Sequence, residues 1–156
     1  MLYGEISPDC LFRFVTFGHP PLIVFSSKLG NFLDIGDESM AQFPPLGLVI
    51  PYDLPDRNKY DSIGMGRRRM NVSDLKETSL MRRGDILSLY TDGVHDGTDQ
   101  GRGIVSEQII RQHKEMTAMD ICNAILENAV RNYERLRQAD KPDRVDDETV
   151  LIIKRV

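Results

Sequence analysis

A chain of 156 residues with 40% hydrophobic and 28% charged residues has the length and composition of one soluble domain able to bury a proper core. Its formal net charge of −4, with arginine clustered only at Arg67-Arg68-Arg69, argues against nucleic acid as a partner. No apolar run approaches the ~18 residues needed to span a bilayer, and Met1-Leu2-Tyr3-Gly4-Glu5 lacks both parts of a signal peptide, so the expected compartment is the cytoplasm.

Leu2 to Ile6 reads as a short strand closed by Ser7-Pro8-Asp9, a turn favoured by side-chain hydrogen bonding and a fixed φ. Cys10 to Phe17 returns as a second strand, and after Gly18-His19-Pro20-Pro21 a third runs from Leu22 to Ser26. Three short strands in succession predict an antiparallel meander. Between residues 27 and 74 the density of glycine and proline excludes long elements, apart from a buried strand expected at Leu46 to Ile50. Asp53 to Asp74 is polar and charged and reads as a mobile surface loop.

Structure resumes at Leu75 to Leu80, and a turn at Met81 to Gly84 leads into a buried strand from Asp85 to Thr91. The period then changes from strand to helix. Glu107 to Lys114 is a short helix candidate, and Thr117-Ala118-Met119-Asp120 resembles a capping box opening a long helix to about Arg137. Ile121, Ala124, Ile125, Asn128, Tyr133 and Leu136 fall near one face of that helix. Thr149 to Ile153 is β-branched and apolar, a last strand. The expected class is α+β, one domain over residues 1–156 with a long helix packed on a sheet. Cys10 and Cys122 match no metal-ligand spacing and read as small buried hydrophobes.

Two acidic motifs sit at the ends of buried strands. Tyr90-Thr91-Asp92-Gly93 follows Ile86 to Leu89, and Asp146-Asp147-Glu148-Thr149 precedes Val150 to Ile153. A carboxylate at a strand end is rigidly held yet faces water, which suits Mg²⁺ or Mn²⁺ with their preference for oxygen ligands. Gly93 would let the backbone turn sharply. From spacing alone, an ordinary Asp-Gly turn is the plainer reading of the first motif, and a solvated loop explains the second as well as metal binding does. A helix-loop-helix calcium site is excluded, because a loop starting at Asp92 would place Val94 and Gly103 where oxygen ligands are required.

The other candidates have plainer explanations beside them. His19 and His95 are of the residue type that can serve as a general acid near neutral pH, but His19 also suits a turn and His95 a solvent-facing loop. Arg67-Arg68-Arg69 would attract a phosphorylated or acidic partner, or is simply solvated. Ser7 and Ser88 have no base beside them, so a serine nucleophile has no support.

The segment from Gly84 to Val94 resembles the "GD-x-L-x-x-YTDG-V" signature of bacterial metal-dependent protein serine/threonine phosphatases of the type 2C (PPM) superfamily. It is most similar to the branch that includes the sporulation stage II E and sigma-factor-regulating enzymes. Gly18-His19-Pro20-Pro21 resembles the family's "AGH-P" turn, Pro45-Leu46-Gly47 its "PLG", and Asp146-Asp147-Glu148-Thr149 its terminal "DD-x-T", all in the family's order.

The resemblance implies an antiparallel β-sandwich flanked by helices, with two Mn²⁺ or Mg²⁺ ions activating water against phosphoserine or phosphothreonine on a bacterial regulatory protein. It makes Asp92 and Asp146 metal ligands and catalytic residues. Gly93, Asp147, His95 and His19 become neighbours of the site, and Thr149 a hydrogen-bonding tie; no residue is assigned to substrate binding. The family's N-terminal acidic motifs have no counterpart here, so the expectation is an incomplete two-metal site in the C-terminal portion of the domain. Val94-His95-Asp96 also departs from the family's more common "V-T-E". The alternative is a non-catalytic regulatory or binding module derived from the same fold. Sheet edges exposed by missing strands would favour a homodimer.

Overall fold

The computed structural model describes residues 2–17, 19–33, 35, 42–43, 76–79, 82–94, 104–138 and 147–156. Two compact units emerge, Met1–His19 with Gly36–Ser79 and Pro20–Ile35 with Leu80–Val156. The expected strand at Leu46 to Ile50, the expected loop at Asp53 to Asp74 and the arginine cluster lie outside the described residues.

In the first unit, β1 (Leu2–Ile6) and β2 (Leu11–Phe17) form the predicted antiparallel hairpin, with Leu2 opposite Thr16 and Ile6 opposite Phe12. The turn is fixed locally. Ser7 N–H donates to the Leu11 carbonyl at 2.9 Å, Cys10 N–H donates to the Ser7 carbonyl at 2.8 Å, and the Ser7 hydroxyl donates to the Asp9 carboxylate. That last bond holds the Asp9 carboxyl below its ordinary pKa. Cys10 takes a left-handed φ of 61° and is half-buried, so it is a turn residue and not the buried strand hydrophobe expected of it. Phe12, Phe14 and Thr16 alternate along β2 on one face and are all buried, the two rings stacked at 5.3 Å.

The other edge of β2 is shared. Its first half pairs antiparallel with β6 (Lys76–Ser79), and Thr16-Phe17 pairs in parallel with β5 (Gln42–Phe43). The meander therefore stops after two strands, and one short parallel pair interrupts the antiparallel pattern.

The third strand, β3 (Ile23–Ser26), belongs to the second unit, in a fully antiparallel sheet of order β4-β3-β7-β8. Here β4 is Asn31–Phe32, β7 is Ile86–Tyr90 and β8 is Val150–Lys154. Two helices complete it, α1 (Ile104–His113) and α2 (Ala118–Gln138). The α+β class is as expected. Ile23, Phe25, Ile86 and Tyr90 from the sheet close on Ile110, Ile121 and Ile125 from the helices in one buried cluster.

Helix α2 starts where the capping box places it. Asp120 N–H donates to the Thr117 hydroxyl oxygen at 3.2 Å, and Thr117 N–H donates to the Asp120 carboxylate at 3.1 Å. Its buried face carries Ile121, Ile125 and Ala129, whereas Tyr133 is exposed, contrary to the periodicity reading. Cys122 is half-buried, its thiol 3.7 Å from the Val150 carbonyl. His113 is half-buried, with Nδ1 2.9 Å from the Ile109 carbonyl. Lys154 Nζ donates to the carbonyls of Lys114 and Met116 at 2.6 and 2.5 Å, tying the link between the helices to the end of β8.

The start of β7 is fixed by Asp85, buried at 5% exposure. Its carboxylate accepts from Ser27 N–H and the Ser27 hydroxyl, both at 2.7 Å, and from Arg82 N–H at 3.0 Å. Gly84 takes φ of 91° to make the turn, and a Cβ there would meet Ser27 Cβ at 3.2 Å. Arg83-Gly84-Asp85 is thus a structural turn.

Ser88, fully buried in mid-strand, has a hydroxyl with no hydrogen-bond partner among the described residues. Asp85→Ala should cost roughly 2–4 kcal/mol by orphaning buried donors, while Ser88→Ala should be neutral or stabilising by up to about 1 kcal/mol; urea unfolding measures both. Burial raises the Glu107 carboxyl above its ordinary pKa, and the Arg111 guanidinium only partly opposes this. The folded state therefore favours the protonated form. That contribution is present below the ordinary glutamate value of about 4.3 and is lost as pH rises through the raised folded value. Glu107→Gln should flatten this slope in unfolding curves taken from mildly acidic to neutral pH and be more stable than the wild type at pH 7.

Candidate metal-binding site

The central strand β7 is hydrogen-bonded on both edges, to β3 and to β8, which makes its C-terminal end a rigid platform. Ile86, Ser88 and Tyr90 share one pleat face, and Ile86 and Tyr90 join the buried cluster with the helices. At Thr91 the strand stops, and Asp92–Val94 forms a single 3₁₀ turn, with Val94 N–H donating to the Thr91 carbonyl at 3.2 Å. Tyr90 and Val94, 3% and 4% exposed, are both anchored in the core.

Asp92 is held between those anchors and is itself exposed. Its carboxylate has no hydrogen bond or ion pair among the described residues. Gly93 is buried in the turn and does not take a positive φ, so the turn expected of it does not draw on left-handed freedom.

The second acidic motif arrives by strand pairing. Val150 sits opposite Tyr90, so the residues before β8 run beside the 3₁₀ turn. Thr91 joins them. Its N–H donates to the Thr149 carbonyl at 3.0 Å, its hydroxyl donates to the Asp147 carbonyl at 2.9 Å, and its hydroxyl oxygen accepts from Thr149 N–H at 2.9 Å. Asp147 is exposed beside this junction. Glu148 is half-buried, and burial raises its carboxyl above the ordinary value.

The structure thus brings Asp92, Gly93 and Asp147 to one edge of the second unit. Asp146 and His95 lie outside the described residues, as do Gly18 and Pro45-Leu46-Gly47. His19 is half-buried and belongs to the first unit. Ser88, sealed in the core, is unavailable as a nucleophile. The expected tie at Thr149 exists, but the Thr149 backbone makes it and the hydroxyl belongs to Thr91. Thr91 and Asp85 are the residues that pattern reading missed. Both stood inside the signature, and neither residue type announces which backbone groups it will meet.

Exposed carboxylate oxygens on a rigid strand end are the donor type that Mg²⁺ and Mn²⁺ take. Among the described residues no group of three or more His, Cys, Asp or Glu side chains converges. Asp92 therefore fits a hard cation in kind, as one ligand of a set. A groove along α2, lined by Asn123, Leu126, Glu127, Val130, Arg131 and Glu134, lies on a different element from Asp92.

A family model described as stage II sporulation protein E (SpoIIE) matches residues 63–156, more than half of the chain. Two solved structures share the fold, both of the phosphatase domain of the cell fate determinant SpoIIE from Bacillus subtilis. One, presoaked with Mn, is 16% identical with a TM-score of 0.53, and the other is 14% identical with a TM-score of 0.56. Each match covers 99% of this chain, which spans 56% and 57% of the respective solved chains. No curated protein matches the sequence significantly.

Proposed function

This chain belongs to the stage II sporulation protein E (SpoIIE) family, and we propose that it forms part of a metal-dependent protein phosphatase acting on phosphoserine or phosphothreonine. The observation that carries this reading is the state of Asp92. It is exposed, unengaged by other described residues, fixed between two core anchors, and hydrogen-bonded through its neighbour Thr91 to the loop of the second acidic motif.

On this reading Asp92 holds Mn²⁺ or Mg²⁺ together with Asp146 and further ligands that, like Asp146, lie outside the described residues. When bound, a pair of such ions lowers the pKa of a coordinated water and neutralises charge on phosphoryl oxygens. The chain's own part is to present carboxylate oxygens on an element that cannot drift. The 3₁₀ turn aims Asp92 outward, the β7–β8 register sets how far the second loop lies from it, and Asp147 adds negative charge alongside. His95, three residues after Asp92, is the candidate for handing a proton to the leaving alkoxide. The substrate is a phosphorylated bacterial regulatory protein of the sigma-factor-controlling kind, which places the activity in sporulation-type regulation.

The test is hydrolysis of p-nitrophenyl phosphate and of a phosphoserine peptide by the intact protein, with Mn²⁺ and with chelator. Activity should require the metal. Asp92→Asn should lower it roughly 100-fold or more, since losing a direct ligand exceeds the 10–100-fold typical of outer-shell partners. Full Mn²⁺-dependent turnover by the Asn variant would remove Asp92 from the site.

A further inference from the structure

We propose that Thr91 is a positioning residue, whose hydroxyl fixes Asp147 and Thr149 against the Asp92 turn and so sets the geometry of the metal site. The inference rests on the metal-site reading given above and deepens it.

The β7–β8 ladder ends at the pair Tyr90–Val150. Beyond that pair β7 abandons extended geometry for the 3₁₀ turn, so one backbone bond remains, from Thr91 N–H to the Thr149 carbonyl, and Thr149 N–H and the Asp147 carbonyl lack the strand partner that a continuing β7 would have supplied. Thr91 replaces it with one atom. A hydroxyl has one proton to give and lone pairs to accept with, and here both capacities are used, towards the Asp147 carbonyl and from Thr149 N–H, each at 2.9 Å. The partners are 56 and 58 residues away in sequence, so this is no local turn bond. Asp92 follows Thr91 directly, and Asp146 directly precedes Asp147. A single side chain therefore adjoins Asp92 in sequence and binds the residue that follows Asp146.

The same strand has a second polar tie at its other end, where the Ser27 hydroxyl donates to Asp85 at 2.7 Å. That tie is remote from Asp92 and supplies an internal control for loss of a structural hydrogen bond.

The experiment compares Thr91→Val, which keeps shape but has no hydroxyl, with Thr91→Ser, which keeps the hydroxyl, and with Ser27→Ala. Mn²⁺ affinity is measured by calorimetry on the full chain, thermal unfolding is followed without metal, and exchange of the Thr149 amide is read by NMR. Thr91→Val should weaken Mn²⁺ binding by about 10–100-fold and accelerate Thr149 exchange, and Thr91→Ser should restore most of both. Ser27→Ala should lower the melting temperature while leaving Mn²⁺ affinity unchanged. Equal Mn²⁺ affinity in wild type and Thr91→Val overturns the positioning role alone, as does unchanged Thr149 exchange. Equal weakening by Ser27→Ala would show that affinity merely follows stability and would also overturn it. Absence of Mn²⁺ binding by the wild-type chain overturns the metal-site reading and this role with it.

Discussion

The pairing of β7 with β8 is the constraint on which the second unit turns. Ile86 opposite Lys154 through Tyr90 opposite Val150 fixes which residues of the C-terminal strand lie beside the 3₁₀ turn. Side chains alternate between faces with a period of two, so a slip of one residue would transfer Ile152 and Val150 from the helix-facing side to the other. It would also carry Thr149 out of reach of Thr91. Packing and site geometry are therefore selected by the same register. The hydrophobic cluster of Ile86, Tyr90, Ile121 and Ile125, with Val150 and Ile152 against it, holds the register that brings the acidic loops together.

Much of this was legible because it depends on local chemistry. Thr117 and Asp120 specify a helix start by their own hydrogen bonds, and the structure shows those bonds. The β1–β2 hairpin follows from a turn whose residues satisfy one another. The run from Ile86 to Tyr90 is apolar enough that only a buried strand suits it. The signature around Asp92 pointed to the family to which the chain belongs.

What failed depends on long-range choices. Nothing within Leu22 to Ser26 says that it will pair with residues 86–88 and not with the strand before it, since its apolar side chains suit either sheet. Cys10 was misread because its small apolar character suits a strand, while the hydrogen bonds of Ser7 close the turn around it and leave it with φ of 61°. Tyr133 lies eight residues after Ile125, a same-face helical spacing, yet it is exposed, and the periodicity of a helix carries no information on the length of its partner sheet. The hydroxyl of Thr91 belongs to this class as well, its partners being brought to it from the far end of the chain.

The two ends of β7 carry an aspartate each, and the contrast between them separates structure from function on physical grounds. Asp85 is buried, and backbone and hydroxyl donors from Ser27 and Arg82 occupy its oxygens. Lone pairs committed in that way are not available to a cation, and withdrawing them would orphan buried donors. Asp92 lies at the opposite end, exposed, with no described donor on its oxygens. Its backbone is nevertheless as well fixed, through Tyr90 and Val94 in the core and through the bonds of Thr91. A fixed backbone with an uncommitted carboxylate is the condition for a preorganised ligand, because binding then orders little that was free before. The signature's two acids thus divide the labour: one spends its oxygens on the turn that starts the strand, and the other keeps them for whatever the strand presents.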